Sequence, residues 1–112
     1  LYTYTAEIER VIDGDTLKVR FDLGFNVEIR ETLRLRGIDC PEMDSKEGQA
    51  AKAFVQSYLK EAQLVTVRSS RPEKYDRYLA DVFIPQGEGL DPATDIYLNN
   101  LLLEHGHAVR ME

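Results

Sequence analysis

Over the first 36 residues, apolar and polar positions alternate with the period of two that marks a half-buried strand. Tyr4 to Ile12 is rich in Thr, Ile, Val and Tyr and runs into Asp13-Gly14, a turn pair, which predicts a hairpin. Leu17, Val19 and Phe21 then alternate with Lys18, Arg20 and Asp22 until Gly24 breaks the run. Phe25, Val27 and Ile29 alternate with Asn26, Glu28 and Arg30, and after Glu31-Thr32 the pattern resumes as Leu33-Arg34-Leu35-Arg36. One long third strand, bulged near residues 31–32, is the simplest prediction.

Helical spacing replaces alternation twice. Ser45 can cap a helix whose apolar positions are Ala51, Phe54, Val55, Tyr58 and Leu59, with Lys52, Gln56 and Lys60 facing solvent. Leu64 to Val67 predicts a short strand, residues 69–77 a loop, and Tyr78, Ala80, Val82 and Ile84 a fifth strand. Gly87, Gly89 and Pro92 mark a loop, and residues 95–105 are predicted helical, with Gly106 as the stop. Phe54 and Tyr97 are core candidates. The order β-β-β-α-β-β-α predicts a mainly β fold, an OB-type five-stranded Greek-key barrel with two helices, because a parallel sheet would need a helix between most strands. Barrels of this type often bind oligonucleotides on one face.

Composition narrows the class. With 43% apolar and 30% charged residues in 112 positions, the chain can bury one core, and residues 1–112 are expected to form a single domain. Disordered and collagen-like readings fail, and runs such as Leu101–Leu103 fall far short of the roughly 20 apolar residues a membrane-spanning helix needs. Cys40 is the single cysteine, so neither an internal disulfide nor a multi-thiolate zinc site can hold the fold. The net charge of −6 argues against a broad basic surface, but it is uneven. Residues 1–42 carry 9 acids and 6 bases, 43–82 carry 6 and 7, and 83–112 carry 5 and 1, so a polyanion would favour the middle segment. The chain begins at Leu1 without an initiator Met, and a trimmed or processed fragment is the expectation.

Three motifs remain: Ile12-Asp13-Gly14-Asp15-Thr16, Leu33-Arg34-Leu35-Arg36-Gly37-Ile38-Asp39-Cys40-Pro41-Glu42, and Lys74-Tyr75-Asp76-Arg77-Tyr78-Leu79-Ala80. Each alone is weak, since Asp-Gly-Asp-Thr is usually a turn and alternating arginines are usually a solvated strand face. Together, in this order, they resemble the staphylococcal nuclease-like (thermonuclease) family over nearly the whole chain, as far as Asn99 and Gly106. The resemblance implies a calcium-dependent endonuclease, a hydrolase acting on the phosphodiester bonds of DNA or RNA. It implies that Asp15, Asp39 and the backbone carbonyl of Cys40 bind Ca2+, that Glu42 handles the attacking water, and that Arg34 and Arg77 grip the scissile phosphate. Lys74 and Tyr75 fall where the family holds a neighbouring phosphate. It further favours a monomer, no membrane partner, and a secreted or cell-envelope location.

Chemistry supplies independent reasons for these residue types. Attack on a phosphodiester builds negative charge on its oxygens, which calls for a hard cation and fixed positive groups. Calcium takes oxygen ligands, and guanidinium donates paired hydrogen bonds to phosphate without losing its charge. Glu42 lies three residues beyond Asp39, with Pro41 stiffening the turn between them. Asp13 either only stabilises its turn or tunes the metal from behind Asp15. A Cys40 nucleophile served by His105 or His107 is the weaker reading, because a lone cysteine is most often a buried apolar group. The other rival is a catalytically silent module of the same fold that binds nucleic acid or protein.

This sequence also departs from the family pattern. Cys40 stands where the family commonly has Thr, the hairpin between Asp15 and Arg34 is long, and the loop after Glu42 is cut to residues 43–48. No Tyr follows Gly106, so base stacking is expected to rest on Tyr75.

Overall fold

A computed structural model describes residues 2–73, 77–86 and 95–111, with side chains described at 3–69, 78–86 and 95–111. Its elements in chain order are β1 (Tyr2–Asp13), β2 (Thr16–Asp22), β3 (Glu28–Leu35), β4 (Ile38–Asp39), α1 (Lys46–Tyr58), β5 (Leu64–Glu73), β6 (Arg77–Ile84), β7 (Ile96–Tyr97), α2 (Leu98–Glu104) and β8 (Val109–Arg110). β2, β1, β5 and β6 follow β3 as antiparallel neighbours, and residues 32–35 of β3 then pair in parallel with 77–80 of β6. That pairing closes a five-stranded barrel with two helices, the predicted OB-type architecture. β4 and β8 form a separate two-stranded ladder.

The alternation in the sequence becomes the barrel wall. Leu17, Val19, Leu33, Leu35, Val65, Val67, Ala80 and Val82 are buried, and each large aliphatic among them contributes about 1.5–3 kcal/mol by leaving water. Ala51 and Val55 of α1 and Leu98 and Leu102 of α2 belong to the same core. Asn99 is buried beside them, and its amide joins three backbone groups: it donates to the carbonyls of Arg36 and Ala80, both at 3.0 Å, and accepts from Val82 N–H at 3.1 Å.

Four expectations need correction. The third strand does not begin at Phe25, because Leu23–Val27 form a turn with Phe25 and Asn26 at φ 54° and 61°, and Phe25 is 99% exposed. No bulge breaks β3 at 31–32, since its register with β2 runs without a shift from Glu28 to Arg34; the irregularities lie in β1, between Ile8 and Arg10 and between Val11 and Asp13. β5 runs on to Glu73 through residues expected to be loop, shifting register between Ser69 and Pro72 as it passes β6. The last helix starts at Leu98, and Tyr97 is surface: it stacks on Phe83 and its hydroxyl donates to Asp81 Oδ1 at 2.7 Å. Residues 87–94 lie outside the described residues.

Candidate active site

Asp13-Gly14-Asp15-Thr16 makes the β1–β2 turn, and its first carboxylate locks it: Asp13 Oδ1 accepts the N–H of Asp15 at 3.1 Å. Gly14 lets this turn lie flat against the molecule, because a Cβ there would stand 2.8 Å from Ala51 Cβ and 2.9 Å from Cys40 Sγ. Asp15 is therefore carried inward and buried. Its Oδ1 accepts from the Thr16 hydroxyl and its Oδ2 from the N–H of Cys40, each at 3.0 Å, while its carbonyl accepts from Leu35 N–H on β3.

The second motif arrives from the other side. Arg34 leaves β3 with its Nη2 at 3.0 Å from Asp39 Oδ1 and 3.6 Å from Asp15 Oδ2, so two carboxylates far apart in sequence share one cationic nitrogen. Arg34 Nε is buried and, among the described residues, has no hydrogen-bond partner. Asp39 is held by β4, which pairs Ile38 with Arg110 and Asp39 with Val109. The chain then turns into α1. Ser45 Oγ donates to the Glu42 carbonyl at 2.6 Å and accepts from Gly48 N–H at 3.0 Å, capping the helix and fixing the backbone of Glu42 in one stroke. A Cβ on Gly48 would collide with that same carbonyl. The Glu42 side chain is exposed and makes no hydrogen bond or ion pair with the described residues.

Burial would raise the Asp15 carboxyl, but Asp13 beside it, the Cys40 N–H, the Thr16 hydroxyl and the Arg34 charge together hold it below the usual carboxylate value. Asp13 goes the other way. Burial and the neighbouring Asp15 push it up to about 6. Burial and the surrounding carboxylates also push the Cys40 thiol up to about 12, so it stays protonated at neutral pH. The rings of His105 and His107 pack against Phe54, at 5.0 and 4.5 Å. A thiolate nucleophile therefore has no support here.

The geometry brings together Asp13, Asp15, Arg34, Asp39 and the Cys40 backbone; Glu42, three residues beyond Asp39, is exposed and bonded to none of them. Arg77 opens β6 with its backbone paired to Thr32, two residues before Arg34 on the same strand; its side chain, with Lys74 and Tyr75, lies outside the described residues. Among the described residues no three His, Cys, Asp or Glu side chains gather as a metal cluster. What the site offers a cation is two converging carboxylates already sharing a positive charge, an oxygen-only set that suits calcium. A cavity of about 190 Å³ opens beside it, lined by Asp39, Pro41, His107 and Val109. A larger one, about 240 Å³ between Tyr4, Phe21, Ile29 and Tyr78, is mostly apolar and lies away from the arginine.

Residues 32–112 match the family model of the staphylococcal nuclease homologues. The chain belongs to this family. Comparison with curated proteins finds no match. The staphylococcal nuclease homologues are generally hydrolytic nucleases, typically calcium-dependent, and membership makes this a nuclease-type or nucleic-acid-binding domain. Arg34, Asp39, Glu42 and Arg77 fall within the matched span, whereas Asp13 and Asp15 precede it and join the site through the fold. Sequence reasoning missed the packing roles of Gly14 and Gly48. A small residue in a turn and another in the first turn of a capped helix were the available signals.

Proposed function

We propose that this domain is a calcium-dependent phosphodiesterase that cuts DNA or RNA within the strand. The observation that carries the reading is the convergence of Asp15 and Asp39 on Arg34, since a site for phosphoryl chemistry needs carboxylates for a hard cation beside a guanidinium for phosphate. Asp15, Asp39 and the carbonyl of Cys40 would hold the calcium, whose bound state supplies positive charge against the phosphate oxygens. Arg34 and Arg77 donate to those oxygens as charge builds on them. Glu42, exposed on a backbone clamped by Ser45, orients the attacking water and accepts its proton. Lys74 and Tyr75 hold the neighbouring nucleotide, and the cavity beside Asp39 leaves room for the nucleoside attached to the cleaved phosphate.

The test is incubation with plasmid DNA and with RNA, with calcium or chelator, using the unaltered chain and Glu42→Gln. Cleavage is expected only with calcium, and magnesium should replace it poorly because its octahedral shell is less accommodating. Glu42→Gln should cut at least about tenfold more slowly while binding calcium like the parent. Full activity in chelator would remove the metal. Substrate binding without cleavage under any condition would make the domain a binding module.

A further inference from the structure

β8 ends directly over Arg34. Met111 N–H donates to the Gly37 carbonyl at 2.9 Å, and this anchor sets Met111 Sδ at 3.7 Å from Arg34 Nη2, the same nitrogen that Asp15 and Asp39 share. The residue is 39% exposed, so small solutes reach it. A thioether is a weak acceptor, and Arg34 can leave it for a phosphate at little cost. A sulfoxide is polar and presents an oxygen to the same donor.

We propose that Met111 is an oxidation site whose sulfoxide ties down Arg34 and weakens the grip on phosphate, a proposal that rests on Arg34 being the phosphate ligand. The oxidant is a hydroperoxide. A sulfur lone pair attacks the outer peroxide oxygen, the O–O bond breaks, and the sulfur is oxidised by two electrons; the peroxide is reduced, its departing oxygen leaving as water or alcohol after taking up a proton. The new sulfoxide oxygen accepts from Arg34 Nη2, and reduction of the sulfoxide restores the original contact. Met43, the other methionine, makes no hydrogen bond to Arg34 and serves as the internal control.

The experiment treats the full chain, Met43→Leu and Met111→Leu with hydrogen peroxide, locates the added oxygen by peptide mass spectrometry, and follows the Arg34 Nε–H resonance by nitrogen-15 NMR. Inorganic phosphate titration and oligonucleotide cleavage are measured on the same samples. In the parent and in Met43→Leu, oxidation should shift the Arg34 resonance, weaken phosphate binding several-fold and lower cleavage on the order of tenfold, all reversed by methionine sulfoxide reductase. Met111→Leu should show none of these changes. An unmoved Arg34 resonance in chains carrying Met111 sulfoxide, or equal losses in Met111→Leu, would overturn the proposal. If the untreated chain cuts nothing, the nuclease reading fails while the resonance and the phosphate titration still decide this one.

Discussion

β2 has a turn at each of its ends, one leading in from β1 and one leading out to β3. Beyond one end, Asp22 Oδ1 accepts the N–H of Gly24 at 2.9 Å; beyond the other, Asp13 Oδ1 accepts the N–H of Asp15 at 3.1 Å. The local device is the same, a carboxylate folded back on the N–H two residues ahead. The surroundings differ completely. The Asp22 turn leads to Phe25, fully exposed on left-handed backbone, while the Asp13 turn is pressed between Cys40 and α1 and delivers a buried carboxylate to an arginine. A turn motif alone therefore says little about function; what a side chain on its glycine would strike says much more.

If the site end holds the chemistry, Arg34→Ala should have the largest effect, lowering turnover on the order of 10²-fold or more by analogy with the loss of a preorganised oxyanion donor. Steady-state cleavage of a defined oligonucleotide checks this, with folding verified by circular dichroism. Turnover within a fewfold of the parent would put the phosphate grip elsewhere.

Gly14→Ala tests the clamp itself. The added methyl must push apart Ala51 and Cys40, so a loss of about 1–3 kcal/mol in urea unfolding is expected. Unchanged stability would mean that the turn can lift away from α1.

Asp13→Asn probes the raised carboxyl. Because the folded state holds its proton more tightly than the unfolded chain, stability from this group is present below pH 3.8 and is lost as pH rises to about 6. The amide keeps the acceptor for Asp15 N–H but cannot ionise, so at pH 7 without calcium it should stabilise by about 1 kcal/mol after allowance for solvent screening. Unfolding midpoints of parent and variant at pH 4, 5, 6 and 7 should diverge as pH rises; parallel curves would contradict the shift.

At the tip, Phe25→Gly should be the mildest change. Left-handed backbone costs a side-chain-bearing residue about 1 kcal/mol, and a ring that is 99% exposed gives up little packing in return. A stability gain of up to about 1 kcal/mol with unchanged cleavage is expected. A drop in cleavage would join the tip to the site and dissolve the contrast between the two ends.

The same contrast explains what could be read from the sequence. Where alternation and burial coincide, as in Leu17 and Val19 or Leu33 and Leu35, the strand was legible. Phe25, Val27 and Ile29 continue the alternation past the point where β3 meets β6, and among the described residues β6 does not pair with β3 on that side of Thr32. Residues 69–73 hid for the opposite reason: Ser69-Ser70-Arg71-Pro72-Glu73 has no apolar period, and its strand character comes from pairing with β1 and β6. Asp15, Arg34, Asp39 and Glu42 stand out in the sequence because the order of their motifs resembles the family whose model matches residues 32–112, not because any one of them is distinctive. The shared Arg34 nitrogen, the two glycine clamps and Met111 over the guanidinium are products of three-dimensional packing, and of these only the glycines leave a signal in residue order, as small residues in a turn and at the start of a capped helix.

Asn99 bears on the order in which the molecule is assembled. During synthesis its side chain emerges after every strand of the barrel, yet it adds bonds from the carbonyl of Arg36, just past β3, to the middle of β6, beside the backbone ladder that joins the two strands. Those strands are distant in sequence, and the entropy of closing so long a loop must be met before their contacts contribute. A nascent chain that has exposed only its first 90 residues thus has both halves of the seam but not the amide that fastens it. Docking of α2 therefore adds the last of the seam's bonds to strands whose parallel ladder, residues 32–35 against 77–80, does not depend on it.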